Sequence, residues 1–402
     1  MKKYNETLVK AQEIKDWMVK IRRDFHMNPE LSTQEFRTGD KITEYLETMG
    51  IEYKTGIADT GIVGMIRGGK DGKTVALRAD MDALPLQDKK DVIYKSTIDG
   101  KMHACGHDAH TTILLGTARI LKNMEKDLQG NVKLFFQPAE ETIGGADRMI
   151  KEGVMENPKV DAMFGLHVSP EINVGKIGIK YGQTNAYTDG LEIIVYGKGC
   201  HAARPHEGVD TIVIASQIVM ALQSIASRNV DPVEPVVVTI GTINGGTRGN
   251  IIAGKVRLTG TIRTLKPDTR ELVIKKIESI VTQIAEAMGG EAQCIIKEGY
   301  PALVNTDEMI DIVKDSGEGV LGIDNVVMLE TPRLGGEDFA YFAKAAPSAF
   351  YRLGCGNAEK GIIHGAHSCL FDIDEDCLVF GTALQTQNVL TFLGEQGGKQ
   401  IV

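Results

Sequence analysis

Three short apolar runs constrain this chain most: Thr74–Arg78, Val132–Phe136 and Ala162–Leu166. Each has the length and composition of a buried strand. The stretch between the first two carries Ile113, Leu114, Thr117, Ile120, Leu121 and Met124 on one helical side. Strands separated by helices argue for an α/β fold with a mainly parallel sheet, because parallel neighbours need a long crossover that a helix supplies. In such sheets functional groups gather just beyond the carboxyl ends of the strands. The chemistry-bearing residues fall there: Asp80 and Asp82 after the first run, Glu140 and Glu141 after the second, His167 after the third.

Upstream of the sheet, Trp17, Val19 and Ile21 near Phe25 predict a helix that Asn28-Pro29 ends. A second helix is expected from Ser32-Thr33 to Met49, since Ser32 and Glu35 have capping-box spacing and Gly50 supplies the stop. The pattern changes near Gly182. From there the chain reads strand (191–196), helix (209–227), strand (235–241), strand (255–263), helix (268–288) and strand (292–297). That β-α-β-β-α-β order is the ferredoxin-like unit. Residues 184–297 are therefore expected to form a domain inserted into a first one built from residues 1–183 and 298–402.

Composition bounds the function. With 402 residues, 42% hydrophobic and 25% charged, the chain has the balance of a globular protein of two or three domains. The net charge of −9 and the absence of a basic tract argue against a nucleic-acid partner. No run of about 18 apolar residues occurs, so no membrane span is expected. The opening Met1-Lys2-Lys3-Tyr4-Asn5-Glu6 lacks the apolar core of a signal peptide, which points to the cytoplasm. Six cysteines are too sparse for a disulfide framework and are expected to be thiols.

The sharpest local signal is His103-Ala104-Cys105-Gly106-His107-Asp108-Ala109-His110. Thiolate and imidazole suit zinc and related divalent ions, and Gly106 lets the backbone fold tightly enough for Cys105 and His107 to face one ion. The spacing is not that of a zinc finger, so a His-rich helix start with a buried thiol is an equally open reading. The second signal is Gln137-Pro138-Ala139-Glu140-Glu141-Thr142. Adjacent carboxylates at a strand end can divide the labour, one binding metal and the other acting as a general base. An isolated Glu-Glu pair is more often a solvated loop. His167, His364 and His367 each have a structural alternative, and Asp80 and Asp82 could be turn residues. Their joint occurrence at successive strand ends favours a site.

Nearly the whole chain resembles a family of metal-dependent amidohydrolases that includes hippurate hydrolase, N-acyl-amino-acid amidohydrolases and the plant auxin-conjugate hydrolases, within the wider aminoacylase and carboxypeptidase G superfamily. The segments that carry the resemblance are RDFHMNPELSTQE (23–35), LRADMDALP (77–85), HACGHDAH (103–110), FQPAEE (136–141), GKGCHAARPHEGVD (197–210), GTIRT (260–264), GEDF (336–339) and HSCLFDIDE (367–375). The resemblance implies a zinc-peptidase-like catalytic domain with an inserted lid and dimerisation domain. It implies two divalent ions (zinc, manganese, cobalt or nickel) held by Cys105, His107, Glu141, His167 and His367, with Cys105 bridging as thiolate. Glu140 matches the general base, and Asp82 the aspartate that orients a histidine ligand. His201 matches an oxyanion-stabilising histidine that reaches the partner's site in related dimers, and Asn250 and Arg263 match residues that bind the substrate carboxylate. Gly335, Gly336 and Glu337 would shape the pocket wall.

The chain departs from the family at Cys369, where relatives usually carry proline two residues after the last histidine ligand. That keeps His364 in competition with His367, and the Phe371-Asp372 match favours His367. The activity implied is hydrolysis of N-acyl amino acids by a homodimer. Two rivals stand beside it: a dipeptidase or carboxypeptidase of the same superfamily, and a binding protein that kept the fold without the activity. Cys105 favours the acyl-amino-acid branch, since peptidase relatives generally use aspartate as the bridge.

Overall fold

In the computed structural model, which describes residues 2–394, the three apolar runs lie side by side in one sheet. Its eight strands are β1 (Glu52–Ile57), β2 (Gly61–Arg67), β3 (Lys70–Asp80), β4 (Gln129–Gln137), β5 (Ala162–Asn173), β6 (Ile177–Ile179), β7 (Val326–Met328) and β8 (Ser348–Gly356). They lie in the order β1-β2-β4-β3-β5-β8-β6-β7. The middle four, β4, β3, β5 and β8, run parallel to one another, while β1, β2 and β6 add antiparallel pairings towards the edges. Buried on both faces, the central strands read as continuous apolar runs. Leu77, Leu134 and Phe164 are fully buried in them.

The helix His107–Asn123 links β3 to β4, and its first residue belongs to the histidine-rich motif. Arg78 of β3 pairs with Gly165 of β5, and Asp80 pairs with Gln137 of β4. The carboxyl ends of β3 and β4 and the middle of β5 therefore lie level. β5 runs on to Asn173, so His167 sits inside a strand and not after one, as the sequence suggests.

The two N-terminal expectations need correction. The helix Lys15–Met27 buries Met18, Ile21, Arg22, Phe25 and His26, with Trp17 and Val19 only partly covered. The next helix spans Phe36–Thr48, and no capping box precedes it. The Ser32 hydroxyl donates instead to Asp82 Oδ2 at 2.6 Å. The Glu35 carboxylate accepts from Thr60 Oγ1 at 2.6 Å and from the Ala139 N–H at 2.9 Å. Tertiary partners have taken both side chains that a local cap would use.

The chain folds into two compact units. The first comprises the chain up to Gly182, Val304–Thr331 and the segment from Asp338 onward; the second comprises Gln183–Leu303 and Pro332–Glu337. The second unit has strands Tyr187–Tyr196, Val236–Gly245, Lys255–Thr264 and Glu291–Glu298, with helices Thr211–Ser224 and Pro267–Ala287. The sheet order from one edge is Glu291–Glu298, Tyr187–Tyr196, Lys255–Thr264, Val236–Gly245, antiparallel throughout. This is the β-α-β-β-α-β arrangement. Asp210 caps the first helix, accepting from the N–H groups of Ile212 and Val213. The span Thr211–Asn229 is, among the described residues, the one helix long and apolar enough to cross a membrane, with a mean hydropathy of 1.3. Its Ile214, Ile218, Leu222 and Ile225 are packed into the core of this unit.

Candidate metal centre

Backbone geometry brings the motif residues together. Gly106 adopts φ +90°, and a Cβ there would come within 2.2 Å of Val168 Cγ2. Only glycine meets both demands. This turn starts the helix at His107 and sets Cys105 against β5: Cys105 Sγ lies 3.3 Å from His167 Nε2. Gly106→Ala is expected to cost more than the ~1–2 kcal/mol of a left-handed alanine, read as a lowered thermal midpoint. Wild-type stability in that variant would mean that Val168 yields without cost.

Two further left-handed residues flank the same place. Ala139 has φ +56° and His367 has φ +65°, conformations that non-glycine residues seldom adopt and that cluster at functional sites. The His367 backbone N–H donates to the Ala104 carbonyl at 2.7 Å, which ties this loop to the thiol loop.

Cys105, His107 and His167 each offer a ligand atom, and these atoms lie within 4.8 Å of one another. Cys105, Glu141 and His367 do the same. The two triads share the thiol, so the structure brings together all five residues singled out as ligands. His367 Nε2 lies 3.2 Å from Glu141 Oε1. His364 enters neither triad among the described residues. Glu140 also stands here, with a carboxylate oxygen within 4.8 Å of ligand atoms of His107 and Glu141.

The surroundings decide what each nitrogen is free to do. Asp82 is buried, and its Oδ1 lies 3.2 Å from His107 Nδ1. The same carboxylate accepts the N–H groups of Glu140 (3.1 Å) and Glu141 (3.0 Å). Asp82 thus orients the His107 ring and the glutamate turn together. Burial opposes its charge, but His107, Ser32 and the Glu141 N–H hold its carboxyl below the usual range. His107 Nε2, by contrast, is buried with no hydrogen-bond partner among the described residues. Burial works against a charged His107 as well, yet Asp80, Asp82 and Cys105 push its pKa well up, so the place favours positive charge. Burial, with His110 and Arg352 nearby, pushes His167 well below the ordinary histidine value, which keeps it neutral as a metal ligand requires. Burial also raises the Cys105 thiol, and a coordinating cation deprotonates such a thiol outright. An orphaned imidazole nitrogen, a thiol shared by two triads and an acidic surround fit divalent ions.

One acidic cluster is a poorer candidate. Asp80, His107 and His110 also approach within 4.8 Å. However, Asp80 spends its oxygens on Arg78 Nη1 (2.6 Å) and His110 Nδ1 (2.6 Å), and His110 Nε2 accepts the Val168 N–H at 2.9 Å. No lone pair of His110 is left for an ion. Sequence reasoning does not single out His110 or Arg22. Arg22 is fully buried and reaches Asp108 Oδ2 (2.9 Å), Asp372 Oδ1 (2.9 Å) and Glu375 Oε1 (3.4 Å). Its position on the stripe formed by Met18, Ile21 and Phe25 is the one signal that could have found it.

In the second unit, His201 and Asn250 belong to neighbouring strands of chain: His201 bridges Ile251, and the Ala202 N–H donates to the Asn250 carbonyl at 3.1 Å. The Ala203 N–H donates to His201 Nδ1 at 3.0 Å, so the ring of a neutral His201 carries its proton on Nε2 as a donor. Arg263 is half-buried and bonds the Ile262 carbonyl at 3.1 Å. Among the described residues it forms no ion pair, because the nearby Asp189 is held by Arg270 through two bonds of 2.8 Å.

This sheet, with a thiol, imidazoles and paired carboxylates around its strand ends, defines a metal-dependent hydrolase of the amidohydrolase and peptidase class. The profile of peptidase family M20/M25/M40 matches residues 76–390, and the chain belongs to that family. It is 43% identical over 377 residues to thermostable carboxypeptidase 2 of Saccharolobus solfataricus, covering 92% of this chain and 94% of the relative. It is 39% identical over 393 residues to IAA-amino acid hydrolase ILR1-like 4 of Arabidopsis thaliana, covering 97% and 88%. Among solved structures it resembles the Bacillus subtilis YXEP protein, described as a dinuclear metal-binding peptidase of the M20 family, with a TM-score of 0.83, 31% identity and coverage of 95% and 99%.

Proposed function

We propose that this enzyme hydrolyses the amide bond of N-acyl amino acids, using a pair of divalent ions held by Cys105, His107, His167, Glu141 and His367. The observation that carries the reading is the thiol common to both triads, with Glu140 beside them. The donor set admits zinc, manganese, cobalt or nickel. Bound there, such ions supply Lewis acidity, lowering the pKa of water and polarising a carbonyl. Glu140 takes the proton of the attacking water and returns it to the leaving nitrogen. Asp82 keeps His107 and the glutamate turn in register for that transfer. By the family resemblance we assign His201 of a partner copy to the oxygen that becomes negative, and Asn250 and Arg263 to binding of a free carboxylate.

The name of the auxin-conjugate relative supports an acyl amino acid as substrate. The name of the carboxypeptidase relative favours a second reading, a peptide substrate, in which the leaving group is again an amino acid. We further propose that two copies pair through the second unit. The exposed Ile212, Val213 and Met220 on one helix and the edge strand Val236–Gly245 offer the apolar and backbone surface for this.

The test is a screen on chelator-stripped protein with each metal added back. Stripping is expected to abolish hydrolysis, and one of the four ions to restore it on N-acetyl or N-benzoyl amino acids, with dipeptides at least about tenfold slower in kcat/KM. Faster cleavage of dipeptides would move the protein to the peptidase reading. Tightly held metal with no hydrolysis of either class would leave a binding protein.

A further inference from the structure

His107 and His167 contribute to the same triad, but the protein holds them differently. His107 has a carboxylate directly behind it, with Asp82 Oδ1 3.2 Å from Nδ1. His167 has none. Its Nδ1 lies 2.7 Å from the carbonyl oxygen of Val168, the next residue in the chain, so the proton on Nδ1 is donated there and Nε2 faces Cys105 bare. The orientation of His167 therefore depends on what fixes Val168.

Val168 is buried and pairs with Leu353 of β8 on one side, and its N–H points to the other side, where the pairing with β3 has ended. β3 pairs with β5 only as far as Arg78 and Gly165, three residues earlier. His110 fills the gap: its Nε2 accepts the Val168 N–H at 2.9 Å. A backbone N–H can only donate, so this nitrogen carries no proton. The one proton of a neutral His110 is then on Nδ1, donated to Asp80 Oδ1 at 2.6 Å. Asp80 is itself held by Arg78 at 2.6 Å on its other oxygen and, through its backbone carbonyl, by the Thr111 hydroxyl at 2.9 Å.

We propose that His110 is a positioning residue for His167. Asp80, His110 and Val168 act as a relay in which an imidazole and a peptide unit do for His167 what Asp82 does directly for His107. Both imidazoles of the triad then rest on an aspartate, one in contact and one at a distance. The proposal rests on the metal-centre reading above, and the experiment separates the two.

Cobalt(II) is titrated into metal-stripped wild-type protein, His110→Gln and His110→Asn, following the thiolate-to-cobalt charge-transfer band and the bound stoichiometry. The thermal midpoint of each metal-free protein is measured alongside. The glutamine carboxamide can place an acceptor where Nε2 stood, under the Val168 N–H. The shorter asparagine reaches only the Asp80 side. His110→Asn is expected to weaken one of two cobalt ions by about 10–100-fold and alter the band, as loss of an outer-shell partner typically does, while His110→Gln stays close to wild type. The metal-free midpoints of the two variants should agree. Wild-type affinity and spectrum in His110→Asn would overturn the relay alone. Equal weakening in both variants, tracking a lowered metal-free midpoint, would overturn it in favour of a purely structural histidine. A wild-type protein that binds no cobalt through its thiol would remove the metal centre and the relay together.

Discussion

Glu140→Gln is expected to keep its metal and lose about 10²–10⁴-fold in kcat, the range that a positioned general base contributes. The substitution is nearly isosteric, and the features that place residue 140 are backbone ones. Its N–H is held by Asp82 at 3.1 Å, and the turn before it is fixed by the left-handed Ala139, whose N–H goes to Glu35 at 2.9 Å. None of these depends on the side-chain charge. The five proposed ligands are untouched, so metal content by elemental analysis should equal that of wild type and KM should move little. A drop in kcat with KM and metal retained is the pattern of a group needed only in the transition state. If Glu140→Gln turns over substrate within about tenfold of wild type, the base lies elsewhere.

Arg22→Met should be strongly destabilising. Arg22 is fully buried, and its guanidinium faces three carboxylates from two distant parts of the chain. Methionine fills much of the volume but leaves Asp108 and Asp372 short of their main cation, and breaking a buried pair from one side costs about 3–5 kcal/mol. Against a total of ~5–15 kcal/mol that is a large share. Lysine should rescue poorly, since one ammonium group cannot reproduce a planar fork directed at three acids. Adding Asp108→Asn to Arg22→Met should recover part of the loss, because it removes one of the stranded charges. The measurement is chemical denaturation of the metal-free proteins. A loss below ~1 kcal/mol would place the network among weak, solvent-screened ion pairs.

The same network gives a pH signature. Burial favours a protonated Asp372, but Arg22, Lys90 and the Tyr94 hydroxyl together hold its carboxyl below the usual range. A carboxyl whose folded pKa is depressed adds stability above its unfolded value of about 3.9 and loses it as pH falls through the folded one. Wild-type protein should therefore weaken with acid below about pH 4, and Arg22→Met should show a shallower acid limb. An identical limb in both would mean that Arg22 does not set this carboxyl.

The parts of this molecule legible in its sequence are those written locally. The buried runs that form β3, β4 and β5 are continuous apolar stretches, Glu141 follows the β4 run, and Cys105 and His107 share one short motif before a helix, whereas His167 lies inside β5. The helices and strands of the second unit follow from periodicity, because each buries one face against a single sheet. What is illegible depends on partners far away in sequence. Ser32 and Glu35 have the spacing of a cap, but Asp82, Thr60 and Ala139 compete for them with hydrogen bonds that exist only after folding. His110 looks in sequence like one more member of a histidine cluster; its exclusion from the ligand set follows from a single backbone N–H on β5. The residues after His367 favour it over His364, and the physical reason is its left-handed backbone and its bond to Ala104.

The reach of Arg22 also bears on how the enzyme comes into being. Its partners lie 86, 350 and 353 positions along the chain, and the loop carrying His367 docks on Ala104, which is likewise remote in sequence. During synthesis the thiol and its first imidazoles emerge early, yet the residues that complete and clamp their surroundings arrive only when the ribosome has passed position 375. Until then the groups around Cys105 lack these partners, and bringing them in requires contacts of very high sequence separation, the slowest kind to form. Completion of the surroundings of Cys105 is thus tied to the last stages of folding.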